Sequence, residues 1–315
     1  MKLEEALRDA KTVAISGHMR PDGDCVGSCM GLYQYIKQNI CNIEVDVYLE
    51  EIPVKFNFIE STKEIKHEIT EEKSYDLFIS LDCGDIERLG FSKILYEKAK
   101  KTFCIDHHIS NESFAMYNYI VPEASSTSEL VYQLINTDII TKEVAMCLYL
   151  GIVHDTGVFQ YTSTTPSTME AAANLMRTGI DAAQIIDNTY YEKTFPQNKV
   201  LGYALLESKL VLNDKCITSI ITQKDMEFFG VRSSDLDGIV SQLHFTQGVE
   251  VSVFLYELRP EEYKVSLRAK DKIDVSIIAQ HFQGGGHKKA AGFTIFGDVQ
   301  AAMQNILHEI AIQLR

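Results

Sequence analysis

The segment TVAISGHMRPDGDCVGSCMGLYQYIKQN, residues 12–39, contains a strand pattern, a polar turn and a helical pattern in succession. TVAIS is a short apolar run with β-branched residues, which predicts a strand over residues 12–16. After the polar turn, Val26 and Met30 recur at helical spacing and predict a helix over residues 25–39. A strand that leads directly into a helix is typical of α/β domains.

The alternation of strands and helices continues through the first half of the chain. Further strands are predicted at VDVYL (45–49), DLFISL (76–81) and TFCI (102–105), and helices at residues 92–101, 126–136, 142–155 and 166–179. This order predicts an α/β fold with a doubly wound, mostly parallel sheet, which forms ligand sites beyond the carboxyl ends of its strands.

The pattern changes beyond residue 180. The segment that follows has a weaker helical pattern, which Pro196 interrupts. Long strands are then predicted at residues 215–223, 249–258 and 263–269, and helices near residues 234–244, 274–282 and 298–313. Because single cores stop growing at about 250 to 300 residues, a chain of 315 residues is expected to form two domains. We predict a first domain over residues 1–180, a linker over 181–202 and a smaller α/β domain with a mixed sheet over 203–315.

The net charge of the chain is −14 at pH 7. Proteins that coat long nucleic acids need many Lys and Arg contacts to phosphates, so this charge argues against long nucleic acid as a partner. It does not exclude a small anionic substrate held at one local site. The N-terminus lacks the order of a signal peptide, and no apolar run approaches the ~18 residues of a membrane span. We therefore expect a cytoplasmic protein without a membrane partner.

The seven cysteines are scattered and odd in number. Cys25 and Cys29 are separated by three residues and have no second pair nearby, which does not favour a zinc site built from paired cysteines. Buried, reduced thiols are the better interpretation, and they suit a reducing cytosol.

Acids and histidines follow predicted strands or end an apolar helix in four separate segments. These residues are His18, Asp22 and Asp24, then Asp82, then Asp106, His107 and His108, and finally His154 and Asp155. Taken singly, an aspartate after a strand is most often a turn or N-cap residue, and adjacent histidines are often only exposed. Taken together, carboxylates from four segments at one sheet edge would repel one another unless cations balanced them. We expect the fourth strand to end at Ile105, so that the backbone turns and both following histidines serve one site.

Imidazole and carboxylate groups without thiolate favour manganese, with magnesium or cobalt as alternatives and structural zinc less suited. The ligands suffice for two divalent metal ions that share a bridging carboxylate. Two metal ions ~3.5–4 Å apart are suited to the hydrolysis of phosphoesters. The pattern therefore indicates a phosphoesterase.

A second signal is HFQGGGHKKAAGF, residues 281–293, near the C-terminus. Three consecutive glycines allow backbone amides to approach an anion, and His287 with the two lysines adds donors and positive charge. Arg268, in KVSLRAK, is a second candidate for anion binding. A simple glycine turn and an exposed strand arginine are equally good interpretations at this point.

Five ordered motifs, GHMRPDGDCVGS, SLDCGD, CIDHH, HDTG and GGGHKKAAG, resemble those of the DHH phosphoesterases that carry the DHH-associated C-terminal domain. The resemblance covers essentially the whole chain and is strongest to the nanoRNase and pAp phosphatase branch. It implies hydrolysis of short oligoribonucleotides to mononucleotides, and of 3′-phosphoadenosine 5′-phosphate (pAp) to AMP. It also implies that residues 1–180 are the catalytic domain with a dinuclear metal site and that residues 203–315 bind substrate.

The resemblance further implies a role for each matching residue. One metal ion would be held by His18, Asp22 and Asp82, and the second by Asp24, Asp82, His107 and Asp155, with Asp82 bridging. A hydroxide between the metals would attack phosphorus, His108 would donate to the scissile phosphate, and Asp106 would orient a histidine; His108, Asp106 and Asp82 are thus the catalytic candidates. The remote part of the substrate would contact Arg268, Gly284, Gly285, Gly286 and His287.

Several alternatives stay open. Hydrolysis of cyclic or linear dinucleotides (c-di-AMP or pApA) is the nearest alternative activity, and an inorganic pyrophosphatase or a non-catalytic nucleotide-binding protein is less well supported. Monomer and homodimer are both compatible with the sequence. Two departures from the family pattern bear on phosphate binding: Gln283 stands where a fourth glycine is common, and Gln160 stands near a common arginine. No family role is carried over to His154, and Arg88 is expected to be structural.

Overall fold

The computed structural model describes residues 3–70 and 73–314, and the chain divides into two units, Met1–Glu192 and Lys193–Arg315. The segment predicted as a linker, residues 181–202, is divided between them. It is helical along most of its length. The assignment of separate roles to the two domains stays a prediction.

Strands and helices alternate through the first unit. Its elements are α1 (Leu3–Arg8), β1 (Thr12–Ser16), α2 (Gly23–Asn39), β2 (Glu44–Tyr48), β3 (Ile65–Lys66), β4 (Leu77–Leu81), α3 (Lys93–Lys98), β5 (Lys101–Asp106), β6 (Tyr117–Ile120), α4 (Thr127–Leu134), α5 (Lys142–Asp155), α6 (Pro166–Arg177) and α7 (Ala182–Ile186).

The described strands of the first unit form one parallel sheet in the order β3-β2-β1-β4-β5-β6. The chain runs outward from β1 in both directions, so the predicted doubly wound α/β fold is confirmed. The pairs Ser16↔Ser80 and Ser80↔Cys104 show that β1, β4 and β5 end nearly level. The residues that follow these three strands therefore meet at one edge. The sequence did not predict β3 and β6, which are short edge strands.

Glycines bring helices α2 and α5 into close contact with each other. A Cβ added to Gly27 would lie 2.5 Å from the Cys147 carbonyl oxygen and 2.7 Å from the Gly151 nitrogen. The two backbones therefore approach more closely than any larger residue would allow. This packing places the start of α2 and the end of α5 beside the strand ends.

The second unit contains a mixed sheet. Its elements are α8 (Phe195–Leu206), β7 (Lys209–Val211), β8 (Cys216–Ile221), α9 (Gln223–Phe229), α10 (Ile239–His244), β9 (Val251–Arg259), β10 (Glu262–Ala269), α11 (Val275–His281), β11 (Gly285–His287), β12 (Ala290–Phe296) and α12 (Val299–Gln313). The strand order is β11-β12-β10-β9-β8-β7, with β8 and β9 parallel and the other pairs antiparallel. The predicted mixed sheet is confirmed.

Helices cover the two faces of this second sheet unequally. Helices α11 and α12 pack on one face, against residues such as Leu267 and Phe293. On the other face, α8, α9 and α10 pack on β8 and β9 through residues such as Ile217 and Phe254. The same face of β10, β12 and β11 carries small or polar residues that are half-buried or exposed. We call this part of the sheet the open half-face, namely Lys264, Ser266, Arg268, Gly285, His287, Ala290, Gly292 and Thr294.

The cysteines are free thiols, and all are buried except Cys41. In the part of the chain that the structure describes, no helix has the length and apolar character needed to cross a membrane. The cytoplasmic location stays a prediction.

Candidate active site

Asp82, the first residue after β4, lies at the centre of the cluster at the sheet edge. Its backbone is left-handed, with φ of +54°, and its N–H donates to the Ile105 carbonyl at 3.1 Å. Oδ2 lies 3.4 Å from His18 Nε2, whereas Oδ1 lies 3.6 Å from His107 Nε2. The two oxygens of one buried carboxylate therefore face two different histidines, as a bridging ligand requires.

His18 and His107 are held in the same way. Nδ1 of His18 lies 2.8 Å from the Met19 carbonyl oxygen, and Nδ1 of His107 lies 3.3 Å from the Ala124 carbonyl oxygen. A carbonyl oxygen can only accept, so in each neutral ring Nδ1 carries the proton and Nε2 is the free ligand atom. This is the arrangement of metal-binding histidines, whose second nitrogen is fixed by a hydrogen bond.

Asp22 and Asp24 lie at the start of α2 and face different partners. Asp22 caps the helix, since its Oδ1 accepts from the N–H groups of Asp24 and Cys25 at 3.1 Å, and it lies 3.7 Å from His18 Nε2. Asp24 is buried, and it accepts from the backbone N–H groups of Thr127 at 2.6 Å and Ser128 at 2.9 Å. The start of α4 thus fixes the Asp24 carboxylate.

Asp155, the last residue of α5, completes the cluster. Its Oδ2 lies 3.1 Å from His107 Nε2. The chain then turns through Gly157, Val158 and Phe159, all with positive φ, and the Thr156 hydroxyl accepts from the Phe159 N–H at 3.0 Å. This turn brings the chain back to the surface, where Gln160 is exposed.

His108 differs from the other two histidines. Its Nδ1 lies 2.7 Å from Oδ1 of Asp106, a fully buried carboxylate whose Oδ2 accepts from Asn111 Nδ2 at 2.7 Å. Asp106 therefore orients His108 and leaves Nε2 as the nitrogen available to a substrate. The expected end of the strand at Ile105 is wrong by one residue: Asp106 belongs to β5 and its carbonyl accepts from Val121 of the neighbouring chain segment. Pairing with the unpredicted strand β6 extends β5.

The charges of the cluster are unbalanced. Burial and the charges of Asp82 and Asp155 raise the pKa of Asp24. Burial alone would lower the pKa of His107, but Asp155, Asp24 and Asp82 outweigh it and raise this pKa to about 10. Burial alone would also lower the pKa of His18, but Cys25, Asp22 and Asp82 outweigh it and raise this pKa to about 12. Excess negative charge in a buried site favours bound cations.

Three groups of side chains at this edge have ligand atoms within 4.8 Å of one another. They are Asp82 with His107 and His108, Asp24 with His107 and Asp155, and His18 with Cys25 and Asp82. The donor set and the orientation of Nε2 in His18 and His107 fit divalent metal ions. The assignment of individual ligands stays a prediction.

Sequence reasoning missed the contribution of the segment SSTSE, residues 125–129. All five residues are buried. Besides holding Asp24, the segment places the Thr127 hydroxyl 3.3 Å from Asp82 Oδ1, and the Glu129 carboxylate accepts from Ser125 and Thr168 hydroxyls. The available signal was the run of small polar residues at the start of a predicted helix.

His154 lies outside the cluster. Its Nε2 lies 3.0 Å from the Thr189 hydroxyl, and its ring packs edge-on against Phe56. Burial lowers its pKa to about 4. It is a packed histidine that belongs to none of the ligand groups of the described residues.

In the second unit, Arg268 and His287 occupy one row of the open half-face. Arg268 pairs with Ala290, which pairs with His287. Paired residues point to the same face, so the two side chains stand about 10 Å apart across the small Ala290. The row can contact an anion with both a guanidinium and an imidazole.

The three glycines before His287 have different structural roles. A Cβ on Gly284 would lie 2.4 Å from the Gly292 oxygen, and a Cβ on Gly286, whose φ is +142°, would lie 2.5 Å from the Ala290 oxygen. Gly285 is exposed and has no atom within 4 Å of such a Cβ. Gly284 and Gly286 are therefore required by the hairpin, whereas Gly285 is free to contact a ligand.

His244, at the end of α10, was not identified from the sequence. Its Nδ1 is buried and has no hydrogen-bond partner among the described residues. Burial and the charges of Lys270, Arg268 and Lys289 lower its pKa. A lone histidine at a helix end gives no pattern, so only the structure associates it with Arg268.

Comparison with known proteins gives matches along both units. Residues 12–152 match the DHH family N-terminal domain, and residues 213–314 match the DHHA1 domain. The chain is 27% identical to the bifunctional oligoribonuclease and PAP phosphatase NrnA of Thermus thermophilus, over 96% of this chain and 90% of that protein.

Two further matches differ in scope. The cyclic-di-AMP phosphodiesterase PdeA of Listeria monocytogenes is 29% identical over 90% of this chain, which spans 45% of that longer protein. The crystal structure of an exopolyphosphatase-related protein from Bacteroides fragilis has a TM-score of 0.90 and 27% identity, covering 99% of this chain and 96% of that one.

Proposed function

Because the chain belongs to the DHH family and carries a DHHA1 domain, we propose that it is a metal-dependent phosphoesterase that hydrolyses short oligoribonucleotides to mononucleotides and converts pAp to AMP. The observation that carries the proposal is the Asp82 carboxylate, whose two oxygens face His18 and His107. The name of the Thermus thermophilus relative supports the choice of substrates.

The proposed cofactor is a pair of divalent ions, manganese first, with magnesium or cobalt as alternatives. His18, Asp22 and Asp82 would hold one ion, and Asp24, Asp82, His107 and Asp155 would hold the other. When bound, such ions lower the pKa of water to near neutrality and offset charge on the phosphoryl oxygens.

The protein's own residues orient the scissile phosphate. His108 donates from Nε2 to a phosphoryl oxygen, and Asp106 keeps its ring in place through the 2.7 Å contact with Nδ1. Burial would raise the pKa of Asp106, but His108 and Asn111 outweigh it and lower this pKa. Asp106 therefore stays ionised and favours a protonated His108, a donor that is fixed before the reaction begins.

The open half-face binds a second part of the substrate. Arg268 and His287 supply donors to a phosphate, Gly285 gives it access to the backbone, and His244 adds an imidazole among positive charges. Few phosphates need to be bound in this scheme, so a chain with a net charge of −14 can act on short RNA but not coat long nucleic acid.

Hydrolysis of cyclic or linear dinucleotides is the second candidate function. The similarity to the cyclic-di-AMP phosphodiesterase over 90% of this chain favours it. The two candidates share the proposed metal centre and differ in which substrate the open half-face accepts.

A substrate panel tests the proposal. Purified protein with Mn²⁺ is given a diribonucleotide, a pentaribonucleotide, a long RNA, pAp, cyclic-di-AMP, pApA and pyrophosphate in parallel, and products are separated by chromatography. We expect rapid turnover of the two short RNAs and pAp, and slow turnover of the long RNA. Turnover of cyclic-di-AMP alone would favour the second candidate, and turnover of pyrophosphate alone would contradict both.

A further inference from the structure

The thiol of Cys25 lies among the proposed metal ligands. Cys25 is in the first turn of α2 and is fully buried. Its Sγ, one His18 ring nitrogen and one Asp82 oxygen all lie within 4.8 Å of one another. Sulfur is therefore present at the position where His18 and Asp82 meet.

Two contacts fix the thiol in this place. The Cys25 N–H donates to Asp22 Oδ1 at 3.1 Å, and Sγ lies 3.9 Å from the His18 carbonyl oxygen. A Cβ on Gly17 would lie only 2.3 Å from this Sγ, so the glycine provides the space that the sulfur occupies. The local backbone thus directs the thiol towards His18.

The two proposed metal positions consequently differ in chemical softness. The ligand group at His18 offers one nitrogen, the Asp82 carboxylate and one sulfur, whereas the group at His107 and Asp155 has nitrogen and oxygen only. Carboxylate and imidazole ligands suit manganese, but a thiolate selects zinc and similar ions.

The other buried thiols near the site belong to none of the three ligand groups of the described residues. Cys83 Sγ is directed to the Asp85 carbonyl oxygen at 3.0 Å, and Cys104 Sγ is contacted by Asn111 Nδ2 at 3.5 Å. Cys29 is one helical turn beyond Cys25 and, within the described ranges, belongs to none of the three ligand groups. It is therefore a suitable control for Cys25.

We propose that His18, Cys25 and Asp82 form a site for thiophilic divalent ions such as zinc, cadmium or cobalt, with Cys25 as a thiolate ligand. The proposal rests on the metal centre of the proposed function and adds a ligand to one of its positions. Binding releases the thiol proton to solvent as the metal–sulfur bond forms. Zinc or cadmium bound in this way displaces manganese and slows turnover.

Cobalt spectroscopy tests the site without measuring activity. Co²⁺ is added to metal-free wild-type protein and to the Cys25→Ser and Cys29→Ser variants, and absorption is recorded in the near ultraviolet. We expect a thiolate-to-cobalt charge-transfer band in the wild type and in Cys29→Ser, and loss of this band in Cys25→Ser. Circular dichroism and thermal melting establish that each variant is folded, and Cys25→Ala serves as a second variant.

The outcomes separate this inference from the proposed function. Absence of the band in folded wild type that still hydrolyses short RNA with Mn²⁺ overturns the thiophilic site alone. Persistence of the band in folded Cys25→Ser and Cys25→Ala also overturns it. Absence of manganese-dependent turnover together with a Cys25-dependent band would overturn the proposed function and leave the thiophilic site supported.

Discussion

The two candidate binding regions have opposite charge imbalance. At the edge of the first sheet, burial and the charges of Asp82 and Asp155 raise the pKa of Asp24. In the second unit, burial and the charges of Lys270, Arg268 and Lys289 lower the pKa of His244. The first region therefore favours cations, and the second favours an anion.

The two regions also differ in how firmly their residues are held. Asp24, Asp82 and Asp106 each have several partners within a buried network. The strand Gly285–His287 is exposed and pairs only with β12 among the described strands. We expect changes in the first region to affect metal binding and the chemical step, and changes in the second to affect substrate binding.

Replacing Asp82 with Asn should have the largest effect. The variant removes the carboxylate that faces both His18 and His107, so metal content should fall and kcat should fall by more than the ~10–100-fold typical of residues behind the ligands. Bound Mn²⁺ and the rate of RNA hydrolysis are measured together. Because one buried negative charge is removed, the metal-free variant should melt no lower than the metal-free wild type.

Asp85→Asn is the matched control for this prediction. Asp85 accepts from the N–H groups of Glu87 and Arg88 and belongs to none of the ligand groups of the described residues. An Asp82→Asn protein that kept both its manganese and its full activity would rule out the shared carboxylate.

Asp106→Asn should lower kcat by about 10–100-fold while metal content is retained. The amide cannot replace the carboxylate that holds His108 Nδ1 at 2.7 Å, so the donor to phosphate loses its orientation. The Michaelis constant should change little, since the open half-face is untouched. Loss of manganese from this variant would show that Asp106 supports the metal ligands themselves.

Much of the first region could be predicted because topology alone brings the strand ends together. Asp82 and His107 follow strands that are recognisable from their apolar runs, and parallel strands end at one edge. The contact of Asp24 with the start of α4 joins residues more than a hundred positions apart, so no local pattern indicates it. The strand Gly285–His287 was missed because glycines have no strand preference.

Gly285→Ala should raise the Michaelis constant about tenfold, or ~1.4 kcal/mol in binding, without lowering the melting temperature. The added methyl group has no protein atom within 4 Å, so it obstructs only a ligand that approaches the backbone. Steady-state kinetics with a diribonucleotide and thermal melting test both parts.

Gly286→Ala is the contrasting variant. Its methyl group would meet the Ala290 oxygen at 2.5 Å, so the melting temperature should fall. Unchanged kinetics in Gly285→Ala would show that Gly285 does not contact the substrate.

The pH dependence of the second unit should reflect His244. The pKa of His244 is lower in the folded protein than in the unfolded one. Below the unfolded value of about 6.5 the unfolded state therefore binds more protons, and folding stability decreases as the pH decreases. The stability is fully present above that value and decreases as pH falls towards the folded pKa. In His244→Gln this decrease should be absent when melting is measured between neutral and mildly acid pH.

Inorganic phosphate provides a second measurement on the same histidine. An anion beside His244 favours its protonated form, so phosphate should reduce the loss of stability in the wild type but not in the variant. Equal acid sensitivity of both proteins would exclude His244 as the cause.

Gln283→Gly should have the smallest effect, a stabilisation of less than about 1 kcal/mol. Gln283 lies two residues after the end of α11 and has a φ of +59°, a left-handed conformation that glycine adopts without strain, and its side chain is exposed. Asp82 has nearly the same φ, +54°, but there the strained residue supplies a carboxylate. Glycine at 283 should therefore raise the melting temperature, whereas glycine at 82 should remove activity. A lower melting temperature for Gln283→Gly would show that the glutamine makes a stabilising contact that outweighs its backbone strain.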